Sequence, residues 1–216
     1  AAHMYFPYSE EHGVYLQQDG FLDKDLVRVA DLDKKERPIN QHWSWDRILR
    51  SPYIKQADTL QGFYFFEDHF TDAELEKHFD FYESFTVHES SLSPCVHAIQ
   101  AAKLGRMEQA YTFYLRSSRL ELDDYHKEVE EGLHITSMAG TWMSIVEGFG
   151  GMRIQNGTLC FTPQIPEQWE SYSFKINFRN RIIKITVSQK GTTFTIDEGT
   201  DLEIMLNGQP KTLSHA

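Results

Sequence analysis

The feature that most restricts this sequence is a change of hydrophobic period at Gly148–Gly151. Upstream, apolar residues recur at helical intervals, as in Met107, Ala110, Phe113, Tyr114 and Leu115. Downstream they alternate: Phe174, Ile176 and Phe178, then Ile183, Ile185 and Val187, then Phe194 and Ile196, then Leu202, Ile204 and Leu206. A period near 3.6 presents one face of a helix and a period of two presents one face of a strand, so one chain needs two kinds of core. "RNR", "KG" and Asn207–Gly208 separate the alternating runs, which is the pattern of hairpins. The expected fold is therefore α + β in two parts, helices over 5–150 followed by a small antiparallel β-sandwich over 151–216.

Local signals place the helices. Trp43 to Arg50 precedes Pro52, and Ala57 to Phe66 carries a second helix. Thr71 with Glu74 forms a capping-box pattern that opens a helix running to about Phe85. Ser93 is placed to cap the next helix, with Pro94 at its first position and Gly105 beyond its end. Further helices are expected over Arg106–Leu120 and His134–Phe149, the last rich in small residues such as Ser137, Ala139 and Gly140.

Bulk properties then exclude several functions. Apolar residues at 40% and charged residues at 25% suit a packed core. A net charge of -11 and the lack of a basic run oppose nucleic-acid binding, so an anion ligand would need a local nest of donors. Cys95 and Cys160 build neither a disulfide framework nor metal-type spacing, which points to a cytoplasmic setting. No apolar run approaches the ~20 residues of a membrane span. Residues 1–4, "AAHM", read as an expression-vector remnant.

Three stretches carry polar chemistry. "HESSLSPCVHAI" sets Ser90, Ser91 and Ser93 before a helix, where unpaired N–H groups and the dipole favour an oxyanion. One serine suffices as a cap; the others are either anion donors or turn-forming hydroxyls. In "EGLHITSMAGTW", His134 lies just after a glycine near another helix start, as an anion donor, a cap of its own helix or a core histidine. In "YIKQAD", Lys55 and Gln56 offer a cation beside an amide, suited to hydroxyl-rich or anionic ligands, or a solvated surface pair. No spacing singles out a carboxylate pair among Glu89, Glu130 and Glu131, and His69, His78, His88 and His97 lack metal-ligand spacing.

These three stretches, together with "GGMRIQNGTLCFTPQIPEQW", resemble glycoside hydrolase family 65 in order and spacing, from about Asp25 through Leu213. The resemblance implies the C-terminal part of an (α/α)6-barrel catalytic domain followed by a β-sandwich. It implies inverting phosphorolysis of an α-glucosidic disaccharide to β-glucose 1-phosphate and glucose, with inorganic phosphate as co-substrate and neither cofactor nor metal. Carried over, Ser90, Ser91 and His134 match phosphate-binding positions, and Lys55 and Gln56 match contacts to the cleaved glucose. The family's general-acid glutamate lies upstream of all four motifs, and nothing here matches its surroundings. The resemblance thus implies a portion of a longer enzyme, with no catalytic acid and no phosphorolysis by itself, the whole forming a homodimer. Two alternatives are a family hydrolase of trehalose-like α-glucosides and a non-catalytic carbohydrate-binding or structural module.

Overall fold

The computed structural model describes residues 4–124 and 129–215, so the first three residues of the expected N-terminal remnant lie outside it. Two compact units emerge: one holds the residues up to His97 with Arg116–Met138, the other Ala98–Leu115 with the chain from Ala139 onward.

The first unit opens with a short hairpin, β1 (Tyr8–Ser9) and β2 (Val14–Tyr15). Helices α1 (Ile39–His42), α2 (Trp45–Arg50), α3 (Asp58–Phe65) and α4 (Asp72–Glu83) follow. Helix α2 starts later than its sequence pattern suggested because Ser44 Oγ accepts the Arg47 N–H and caps it there. The capping box at α4 forms as expected, with Thr71 and Glu74 each accepting the other's backbone N–H. Phe21, Phe79, Tyr82 and Phe85 fill the core of this unit. His78 is part of that packing. Its Nδ1–H donates to Glu74 O at 2.6 Å, and its Nε2 accepts the Tyr15 N–H at 2.8 Å. That tautomer is neutral, and burial lowers the pKa despite the Glu74 hydrogen bond.

Helices α5 (Ser93–Lys103), α6 (Met107–Ser118), α7 (Leu120–Asp123) and α8 (Ile135–Met143) follow. The helix expected over Arg106–Leu120 breaks at Arg119 (ψ 8°), which separates α7 from α6. The helix expected over His134–Phe149 changes pitch at Ser144, where a π-helical turn runs to Phe149. Gly150 N–H bonds Ile145 O at 2.7 Å across that turn.

The strand-rich part contains β3 (Arg153–Gln155), β4 (Thr158–Phe161), β5 (Ser171–Asn177), β6 (Ile182–Ser188), β7 (Gly191–Glu198), β8 (Leu202–Leu206) and β9 (Gln209–Leu213). They form sheets of order β3-β4-β8-β9 and β5-β6-β7. Phe174 faces Ile185 and Ile176 faces Ile183 across β5–β6, while Ile183 pairs with Ile196 across β6–β7. These residues share one core with Leu159, Phe161, Ile204 and Leu213 of the other sheet. One pairing departs from the expected antiparallel plan: β4 and β8 are parallel, Cys160 opposite Met205. The chain traverses the whole of the second sheet between them, so they meet as a crossover pair rather than a hairpin.

The fourth sequence motif is largely structural. Gly151 holds φ +58°, and a Cβ there would lie 2.4 Å from Thr162 O. Gln164 donates to Ala102 O and accepts from Tyr172 Oη, both at 2.8 Å. Trp169 packs edge-on against Tyr114 and Phe149, each at 5.2 Å, and against Tyr111. The aromatic face of this tryptophan is thus committed to helix packing.

Candidate functional site

Two of the polar stretches lie side by side. Ile54 forms an isolated parallel bridge with Thr86, its N–H bonding Phe85 O and its carbonyl accepting Val87 N–H, both at 2.9 Å. Lys55 and Gln56, half-buried, therefore run beside the segment that leads into the serine loop. Lys55 makes no ion pair among the described residues.

The serine loop begins at an unusual backbone position, since His88 adopts φ +53°, a left-handed conformation costly for a side-chain-bearing residue. Two arginines brace it. Arg37 Nη2 donates to Val87 O and Arg116 Nη2 to His88 O, both at 2.6 Å. Arg37 also pairs with Glu89, whose carboxylate offsets its charge at the loop. Neither arginine was singled out by sequence reasoning, because each reaches the loop across 28 or 50 residues of chain. Glu89 is buried and engaged: its Oε2 accepts the Ile39 N–H at 2.8 Å, and Arg37 Nε lies 3.6 Å from Oε1.

The three serines divide. Ser90 Oγ accepts the Leu92 N–H at 3.3 Å, and Ser91 has no hydrogen-bond partner among the described residues; both are half-exposed. Ser93 differs from its expected role as a cap. It is the first residue of α5, fully buried, and its Oγ lies 2.7 Å from His88 Nδ1. The imidazole claims the hydroxyl that would otherwise bond the helix backbone.

Behind the loop lies a buried polar cluster that the sequence did not reveal. His88 Nε2 lies 3.2 Å from Glu83 Oε1, and His97 Nδ1 lies 2.5 Å from Glu83 Oε2. Burial pushes the Glu83 carboxyl up, but hydrogen bonds from His88 and His97 outweigh it and hold the pKa at about 2. Burial pushes His88 down to about 4 despite the carboxylate beside it. At neutral pH Glu83 is ionised and His88 neutral, its Nε2–H donating to Glu83 and its Nδ1 accepting the Ser93 O–H. Serine, imidazole and carboxylate in series suggest a nucleophile relay, yet Ser93 at 0% exposure has no access to a substrate.

The third stretch is anchored to α7 and to the end of α6. His134 precedes α8, and its backbone N–H and ring Nδ1 lie 2.6 and 2.8 Å from Glu121 Oε1 of α7. Nδ1–H donates there, so Nε2 donates to an anion only when the ring is doubly protonated. The backbone N–H of His134, foremost among its hydrogen bonds, keeps the Glu121 carboxyl low. Ser117 of α6 exchanges hydrogen bonds with Ser137 of α8, Ser137 Oγ donating to Ser117 O at 3.0 Å. The C-terminal end of α6 thus braces the serine loop through Arg116 and α8 through Ser117. Of the other carboxylates considered, Glu130 is exposed, and the Glu131 side chain lies outside the described structure.

A separate cleft of about 550 Å³ is lined by Asp25, Asp31, Asp33, Glu36, Trp43 and Tyr53, among others. Five carboxylates, with Asp46, against Arg47 and Arg50 leave its wall net negative, which disfavours anions.

Comparison with known proteins gives a consistent picture. Residues 1–143 match the profile of the glycosyl hydrolase family 65 central catalytic domain. Residues 152–213 match that of the family 65 C-terminal domain. The chain is 54% identical to maltose phosphorylase of Bacillus subtilis (strain 168), covering 98% of this chain and 28% of that protein. It is 38% identical to α,α-trehalose phosphorylase of Thermoanaerobacter brockii, covering 94% and 26%. It is 31% identical to kojibiose phosphorylase of Halothermothrix orenii, covering 95% and 27%. A solved structure described provisionally as a kojibiose phosphorylase from human microbiome superposes with a TM-score of 0.91 at 38% identity, over 98% of this chain and 28% of that one. The chain therefore spans little more than a quarter of the length of these relatives.

Proposed function

Because the chain belongs to glycosyl hydrolase family 65, we propose that it is the C-terminal portion of an inverting disaccharide phosphorylase acting on maltose or a related α-glucosyl disaccharide. Ser90, Ser91 and His134 bind inorganic phosphate, and Lys55 and Gln56 bind the glucose whose bond is cleaved. Phosphate is the nucleophile: one of its oxygens attacks C1 as the glycosidic C1–O bond breaks. A carboxylic acid outside these 216 residues gives its proton to the departing oxygen, releasing glucose and β-glucose 1-phosphate. The helical segments form part of an (α/α)6 barrel, and the whole enzyme is a cytoplasmic homodimer without organic cofactor.

The observation that supports this reading is a half-exposed serine loop whose backbone two arginines brace. Arg37 and Arg116 flank a loop whose Ser90 and Ser91 remain half-exposed, with Lys55–Gln56 running alongside. Fixed donors around phosphate oppose its diffusion and orient an oxygen toward C1, an effect worth several kcal/mol of barrier. A hydrolase needs instead a carboxylate poised to activate water. Glu89, next to the serines, is 1% exposed and committed to Ile39 and Arg37, and so does not take that role.

The test uses the full-length protein with maltose, with and without phosphate, assaying glucose 1-phosphate. Phosphate-dependent release that collapses in His134→Ala is expected. Glucose release indifferent to phosphate would move the assignment to the hydrolase.

A further inference from the structure

We propose that Glu83, His88 and His97 form a binding site for a divalent transition-metal ion of the zinc class. The inference does not depend on the phosphorylase reading.

Three separate segments supply the donors: the last residue of α4, the left-handed residue before the serine loop, and the second turn of α5. One ligand atom from each lies within 4.8 Å of the other two. Three ligands about 2.0–2.2 Å from one ion stand roughly 3–3.5 Å apart, so small side-chain rotations bring them to coordination distance. Two imidazoles with one carboxylate is a donor set for Zn²⁺ or its neighbours, whereas Mg²⁺ and Ca²⁺ prefer all-oxygen shells.

The surroundings match what a metal-bound histidine requires. Ser93 Oγ lies 2.7 Å from His88 Nδ1, on the far side of the ring from Glu83, and so fixes the imidazole plane. With Nε2 on the ion, the ring proton moves to Nδ1 and donates to Ser93 Oγ; the tautomer changes but no proton is lost. His97 is held by Phe79, 5.7 Å between ring centroids, and by the edge of His88 at 4.5 Å. The cluster is closed except on one side, where the Glu83 side chain is 24% exposed. Three protein ligands and one approach leave a fourth position for water. An ion here would lock His88, and with it the loop carrying Ser90 and Ser91.

The experiment titrates the metal-stripped full-length protein with Co²⁺, followed by its visible absorption, and with Zn²⁺, followed by calorimetry. One saturable equivalent is expected, with the intense bands of a four- or five-coordinate cobalt ion. Glu83→Gln and His97→Gln should each weaken Zn²⁺ binding by more than about 10-fold and Ser93→Ala by about 10-fold, while His42→Gln, an exposed histidine, changes nothing. Near-ultraviolet circular dichroism of the metal-free variants establishes that they fold. Wild-type protein that leaves cobalt with its weak hexaaqua spectrum would overturn the proposal, whatever the variants do. So would tight binding that persists in folded Glu83→Gln and His97→Gln.

Discussion

The His88 imidazole makes a quantitative prediction about acid stability. Its pKa falls from an ordinary 6.5 to about 4 in the folded chain. Between those values the unfolded chain binds a proton that the folded chain refuses, so unfolding takes up protons and stability falls as pH falls. The contribution is fully present above pH ~7.5 and reaches a loss of at most about 3 kcal/mol below pH ~4, at 1.36 kcal/mol per pKa unit. At pH 5 about 2 kcal/mol should already be gone, from the ratio of the two binding polynomials. Glu83 extends the effect downward: its folded pKa of about 2 lies below the ordinary carboxyl value, so its contribution is lost between about pH 4.5 and 2. Urea unfolding at pH 8, 6.5 and 5 in a chelating buffer measures the slope. His88→Asn is the control, because asparagine tolerates the φ of +53° but does not titrate. Subtracting the two curves cancels His78, whose pKa is also lowered by burial. Curves that stay parallel from pH 8 to 5 would refute the reasoning.

Two further substitutions probe the strand-rich part. Gly151→Ala adds a Cβ 2.4 Å from Thr162 O at φ +58°, and should cost at least about 2 kcal/mol, seen as a Tm lower by about 5 °C or more. Trp169→Ala removes a ring packed against Tyr111, Tyr114 and Phe149 and should cost about 2–3 kcal/mol with no change in sugar affinity. Weaker sugar binding at unchanged stability would make Trp169 a ligand contact.

What the sequence disclosed was local. The change of period at Gly148–Gly151, the Thr71–Glu74 box and the alternation along β5, β6 and β7 follow from neighbours a few residues apart, and each appears in the structure. Non-local pairings were invisible. The parallel β4–β8 pair joins residues separated by three strands, and the Ile54–Thr86 bridge that sets Lys55 beside the serine loop has no periodic signature. The histidines illustrate the limit best. His88 and His97 lie nine residues apart, a spacing without meaning until α5 turns His97 back toward Glu83. Ser93 was legible as a helix-opening residue, yet its hydroxyl serves His88, a partner that becomes available only because His88 takes a left-handed backbone. Arg37 and Arg116 are ordinary in sequence and gain significance only through the carbonyls they reach.

The most direct test of the anion-site claim is the phosphate KM of the full-length protein carrying Ser90→Ala and Ser91→Ala together. Each lost hydrogen bond to a charged ligand is worth about 1.5–3 kcal/mol, so the phosphate KM should rise by at least about 10-fold while the disaccharide KM holds. An unchanged phosphate KM, or a loss confined to the disaccharide, would contradict the assignment of this loop to phosphate.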